Sequence, residues 1–145
     1  SDVCSSDLFI IRCFEAPGDI AEANGQPFYF RPAPKRPPIY VGGMSEAALR
    51  RAVRLGDGWM PMGIAPDKLA RRVKRMGEIA DEMGKACPEI VIIGRLPDDQ
   101  GAAVEQLARS AELGVTHYIQ SSRYTEPAEF DAIVGRLVDL RAKLN

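Results

Sequence analysis

Four residues in the middle of the chain, Gly42-Gly43-Met44-Ser45, have the composition of an anion cradle. Two glycines let the backbone come close to a ligand, a helix starting just beyond them presents unpaired N–H groups, and a serine hydroxyl adds a donor. A phosphate held there gains up to ~2 kcal/mol from the helix end. The same residues also make an ordinary tight strand-to-helix turn with Ser45 as its cap, so the pattern alone leaves both readings open.

Other side chains suited to chemistry are sparse. His117 is the only histidine; it alternates with Val115 and Ile119 and so reads as packed rather than catalytic. Cys4, Cys13 and Cys87 are odd in number and lack CxxC spacing, which supports neither a disulfide framework nor a metal site. Trp59 could stack on a planar cofactor, but an aromatic at a strand end reads first as core or wall. Arg95 and Arg123 each follow a strand, where an anion could sit. Arg71, Arg72, Lys74 and Arg75 could grip an acidic tail, yet they lie opposite Leu69, Val73 and Met76, as a solvated helix face does.

The elements that must position these groups follow one grammar. Ile39-Tyr40-Val41 is a strand signal that stops at Gly42-Gly43, and the helix after Ser45 buries Ala48, Leu49, Ala52, Val53 and Leu55 before Gly56 ends it. Residues 58–62 then read as a strand, and a helix opening at Pro66-Asp67 carries Leu69, Val73, Met76, Ala80 and Met83 inward up to Gly84. Ile90-Val91-Ile92-Ile93 has the continuous apolar character of a strand buried on both faces. The helix from about Gly101 turns Val104, Leu107, Ala108 and Ala111 inward and ends at Gly114. Val115 to Gln120 is a fourth strand, and the last helix, from about Pro127, buries Phe130, Ile133, Val134, Leu137, Leu140 and Leu144. Upstream, residues 16–38 are irregular and rich in proline, with Phe28, Tyr29 and Phe30 packing them down.

Strands alternating with helices predict a parallel α/β sheet, with function at the carboxyl ends of the strands. The chain has 145 residues, 46% apolar and 27% charged, which excludes disorder and collagen-like repeats. Its 19 basic and 20 acidic residues leave a formal charge of -1, so no nucleic-acid or membrane partner is expected, and a small-molecule substrate is. No apolar run approaches the ~18 residues of a spanning helix, and no secretory signal opens the chain, which reads as cytoplasmic.

The run Arg36-Pro37-Pro38-Ile39-Tyr40-Val41-Gly42-Gly43-Met44-Ser45-Glu46-Ala47-Ala48-Leu49, continued to Gly56-Asp57-Gly58-Trp59, resembles the signature of the bacterial-luciferase-like flavin-dependent oxidoreductases, particularly their deazaflavin-using branch. Asn24-Gly25-Gln26-Pro27-Phe28-Tyr29-Phe30 resembles that family's glycine-aromatic-proline connector, and Gly114-Val115-Thr116-His117-Tyr118-Ile119 its last strand. The likeness covers about Phe9 to Leu144.

The resemblance implies the C-terminal half, strands 5–8, of a (β/α)8 TIM barrel. It implies a coenzyme phosphate held at Gly42, Gly43, Ser45 and Glu46, with only the backbone of Met44 involved and Asp57 fixing the turn before Trp59. The implied reaction is hydride transfer between coenzyme F420 and an organic substrate, with an FMN-dependent monooxygenase of the same fold as the alternative. No catalytic residue is assigned, because the family's acids and bases lie largely on strands 1–4. Residues 1–8, beginning with Ser and lacking any periodicity, read as a non-native leader, and residues 9–145 as the carboxyl-terminal part of the barrel domain. The fragment is expected to be inactive alone and the full-length protein a homodimer. A reading from another class remains open: a non-catalytic half-barrel scaffold that pairs through its exposed sheet edges.

Overall fold

A computed structural model describes residue 14 and residues 20–23, 25–29 and 35–144; residues 1–8 and the cysteines at positions 4 and 13 lie outside them. Ten elements follow in order: β1 (Ile20–Ala23), β2 (Gln26–Tyr29), β3 (Tyr40–Val41), α1 (Glu46–Leu55), β4 (Gly58–Trp59), α2 (Pro66–Glu82), β5 (Glu89–Gly94), α3 (Gln100–Glu112), β6 (His117–Gln120) and α4 (Pro127–Leu144). Strands β3 to β6 form one sheet in the order β3-β4-β5-β6, and every pairing is parallel. These are the four βα units expected from the periodicity.

The parallel ladder extends past the short strands. Met60 N–H donates to the Val41 carbonyl, Gly63 N–H to Ile93, and Thr116 N–H to Ile90. Alternation along β5 then sorts its side chains. Ile90 and Ile92 face the helices and join Val41, Leu49, Val53, Trp59, Leu69, Met76 and Ile79 in the main core. A smaller cluster of Leu96, Ala103 and Leu140 lies under α3 and α4. Trp59 sits at the centre of the larger cluster with no accessible surface, which decides in favour of core over cofactor stacking.

Asp57 does what the resemblance implied. Its carboxylate accepts from the Ile39 amide at 2.7 Å and from Arg36 at 3.1 Å, while its own amide donates to the Ile39 carbonyl. The α1–β4 turn is thereby tied to the entry of β3. The Arg36 guanidinium and then the Ile39 amide hold the Asp57 carboxyl below the usual carboxylate range.

Five expectations need correction. Residues 16–38 are not irregular throughout: β1 and β2 pair antiparallel with Ala23 opposite Gln26, and Gly25 between them has φ 75°. Asn-Gly is the strongest short hairpin signal, and the density of prolines obscured it. Tyr29 is not packed down, being 78% exposed. On α3 the inward face is Ala103, Val104, Leu107 and Ser110, while Ala108 and Ala111 are exposed. Ser110 tolerates burial because its hydroxyl donates to the Gln106 carbonyl. Helix α4 fully buries Leu140 alone, half-buries Ile133 and Leu137, and leaves Phe130, Val134 and Leu144 exposed, since its packing partner among the described helices is α3 on one side. His117 is exposed rather than packed: it lies on β6 at the edge of the sheet, on the face turned away from the helices.

Two outcomes check this account. Trp59→Ala is expected to lower unfolding free energy in urea by ~3–5 kcal/mol, the usual cost of emptying a large aromatic site; a loss below ~1 kcal/mol contradicts the central placement. The depressed Asp57 pKa contributes stability above its unfolded value of ~3.9, and that contribution is lost as pH falls through the folded pKa. Asp57→Asn is therefore expected to flatten the acid limb of melting temperature against pH, and an unchanged limb contradicts it.

Candidate functional site

The turn from β3 into α1 stands at the carboxyl end of the sheet, and Gly42, Gly43, Ser45 and Glu46 are all exposed there. The two glycines differ in kind. Gly43 has φ 97°, a left-handed conformation, and a Cβ on it would lie 3.0 Å from that of Ala48. Gly42 has no such requirement: a Cβ there would meet only the Met60 carbonyl, at 3.8 Å. Its bareness is not demanded by the fold and leaves open the space a ligand would fill.

Ser45 is the N-cap of α1, with extended backbone, and its hydroxyl accepts from the Ala48 amide at 3.2 Å. Its carbonyl takes the Leu49 amide. The amides of Glu46 and Ala47 belong to the first turn, where no preceding carbonyl can accept from them, and the Ser45 O–H remains free to donate. The cap and the cradle are thus compatible functions of the same serine.

Trp59 holds this turn in place. Its indole Nε1 donates to the Gly43 carbonyl at 2.7 Å, so the buried ring on β4 sets the position of the glycine pair.

The Glu46 carboxylate faces elsewhere. It pairs with Arg75 of α2 at 2.6 Å, while Arg75 also meets Glu78 and Glu82 at 3.0 Å, and Arg50 joins Glu82 at 3.0 Å and Glu46 at 3.4 Å. Hydrogen bonds from Arg75 hold the Glu46 and Glu82 carboxyls below their usual range, and the three carboxylates push the Arg75 pKa up. Only the backbone of Glu46 is left to meet an anion. Arg75 is committed to this network rather than to an acidic ligand tail.

Two concavities open on the same rim. Beside the glycine turn, Met44, Ile64, Lys68, Arg71 and Arg72 line a hollow of about 510 Å³. Lys68 went unnoticed in the sequence, although it stands one turn before Arg72 on the helix that follows the neighbouring strand. The larger cleft, about 660 Å³, lies beyond β4 at the ends of β5 and β6 and includes both Arg95 and Arg123. Arg136 of α4 also lines it, and only the tertiary fold brings it there.

Among the described residues no group of His, Cys, Asp or Glu could hold a metal ion, and no helix is long and apolar enough to cross a membrane. Cys87 is exposed on the loop after α2, where burial and then Asp81 push its thiol pKa up.

A parallel βα array, here with a glycine turn capped by Ser45 at the carboxyl end of its sheet, is shared with known proteins. The model of the luciferase-like monooxygenases matches residues 10–137. The chain belongs to the luciferase-like monooxygenase family. That family is one of oxidoreductases. An uncharacterised protein of Mycobacterium bovis and two of Mycobacterium tuberculosis are each 41% identical to this luciferase-like chain over 114 residues, covering 73% of it. The chain spans about 38% of the length of these relatives. An F420-dependent secondary alcohol dehydrogenase, solved in complex with an F420–acetone adduct, superposes with a TM-score of 0.58 at 16% identity. The match covers 75% of this chain and 52% of the dehydrogenase. At that identity the likeness speaks to fold: four βα units arranged as part of a luciferase-like barrel.

The glycine geometry yields a comparison of two variants. Gly42→Ala is expected to leave the melting temperature nearly unchanged, whereas Gly43→Ala forces a side chain into positive φ and costs ~1–2 kcal/mol or more. Equal effects in thermal melts contradict the distinction.

Proposed function

We propose that the chain is the phosphate-binding portion of a luciferase-like oxidoreductase that moves hydride between coenzyme F420 and a small organic substrate. The observation that carries this reading is the bare Gly42 beside the amide end of α1, at the carboxyl end of a parallel sheet. In this reading the amides of Glu46 and Ala47 and the Ser45 hydroxyl donate to the coenzyme phosphate, and Gly42 and Gly43 let it approach the backbone. Lys68 and Arg72, beside the turn, add positive charge to the approach. Bound there, the coenzyme supplies hydride chemistry, and the protein supplies position and electrostatics.

F420 is favoured because the structurally similar dehydrogenase is F420-dependent. The FMN-using monooxygenase is kept as a second reading because the matching family is described as one of monooxygenases. Catalytic groups and the remaining barrel strands belong, in this proposal, to the rest of a longer polypeptide, a cytoplasmic homodimer of which residues 9–145 are the carboxyl-terminal part.

The test is titration of the purified full-length protein with F420 and, separately, with FMN, followed by absorbance and Trp59 fluorescence. Gly42→Asp places a carboxylate in the cradle without straining the backbone. It is expected to weaken coenzyme binding at least roughly tenfold, about 1.4 kcal/mol, at an unchanged melting temperature. The reading fails if neither coenzyme binds or if Gly42→Asp binds as the parent does.

A further inference from the structure

We infer that the cleft at the ends of β5 and β6 binds the acidic head of an amphiphilic organic anion, a carboxylate or a phosphate ester with an apolar body. Calling that anion the substrate rests on the oxidoreductase reading; its binding does not.

The charge inventory of the cleft supports this assignment. Three guanidinium groups line it against one carboxylate, that of Asp98. Arg95 is partnered by Asp98 at 3.2 Å, and Arg136 donates to the Pro97 carbonyl. Arg123 has no carboxylate within ion-pair distance among the described residues. One cation at the mouth therefore has no counter-ion among the described residues, and a second donates to a neutral carbonyl. The strand end beside Arg123 is itself fixed, because Gln120 accepts from the Leu96 amide at 2.8 Å and donates to Ser122 at 2.8 Å.

The walls are of the opposite character. Met62, Ile93, Ile133 and Leu137 supply apolar surface to the same cleft, and Met62 is 69% exposed. A guanidinium set above apolar walls fits a ligand that is charged at one end only. A neutral molecule leaves Arg123 without a partner, and an inorganic anion leaves the walls uncovered.

The position also suits a substrate. The cleft and the glycine turn open on the same rim of one parallel sheet, with the end of β5 two strand spacings from the turn and that of β6, which leads to Arg123, three, roughly 14 Å. That interval lets one molecule anchor its phosphate at Gly42-Gly43 while a second is held by Arg123, with the reacting centres between them.

The experiment is a titration of the purified full-length protein with octanoate, octyl phosphate and 1-octanol, followed by amide shifts in nitrogen-proton NMR spectra. Both anions are expected to shift the amides of Gly94, Arg95 and Ser121 to Arg123 saturably, and to bind roughly tenfold more tightly than octanol. The tighter of the two identifies the preferred head group. Arg123→Gln is expected to remove that advantage and Arg123→Lys to retain most of it. Gly42→Asp is expected to leave octanoate binding untouched, which separates this site from the coenzyme cradle. Equal binding of octanol, shifts centred on residues 42–46, or an Arg123→Gln chain that binds octanoate as the parent does would each overturn the assignment.

Discussion

The burial of Trp59 is the constraint on which both the core and the candidate site depend. A fully buried tryptophan removes 150–250 Å² from water, an upper-bound gain of ~4–6 kcal/mol at ~25 cal/mol per Å². The Nε1 bond to the Gly43 carbonyl adds about 1 kcal/mol. Stability therefore comes mainly from the ring and position from the hydrogen bond. Because the ring packs with Val41, Leu49 and Ile90, movement of the core moves the Gly42-Gly43 turn with it. The exposed turn is anchored to the interior through that hydrogen bond.

Electrostatics complete the arrangement. A chain with a net charge of -1 still concentrates cations on one rim of its sheet, with Lys68, Arg71 and Arg72 beside the glycine turn and Arg95, Arg123 and Arg136 around the cleft, although Asp67 pairs with Arg71 and Asp98 with Arg95. The acid nearest the cradle, Glu46, is drawn away from it by Arg75. A carboxylate left at the mouth of the turn would repel a phosphate, so in the proposed reading the clasp between α1 and α2 keeps negative charge away from it. Net charge excludes partners that act over long range; the local distribution decides what can bind at contact distance.

Much of this was legible in the residues. The four βα units and the cap at Ser45 rest on local chemistry within a few positions, and such signals survive without tertiary context; the anchoring by Asp57, which reaches back 18 and 21 residues to Ile39 and Arg36, came from the family resemblance alone. The errors share the opposite property. The inward face of α3 shifted because Ser110 found a local acceptor, and Ala108 and Ala111 are too small to bias the orientation of a helix. The exposure of Phe130, Val134 and His117 follows from α4 and β6 lying at one side of the array, which periodicity does not report. The β1–β2 hairpin was hidden because prolines around Asn24-Gly25 weaken the strand pattern while the turn itself is favourable.

The sequence by itself determined the order of strands and helices, the parallel sheet, the placement of a glycine turn capped by Ser45 at a strand's carboxyl end, and the resemblance to the luciferase-like family. It did so because each of these depends on residues that are neighbours along the chain. Only the tertiary structure decided that Gly42, unlike Gly43, is bare for no reason of backbone strain, that the Glu46 side chain belongs to Arg75, and that Arg95, Arg123 and Arg136 share one cleft. Those facts depend on distances between groups up to 41 residues apart, from Arg95 to Arg136. Such distances exist only once the strands have paired and the helices have packed across them.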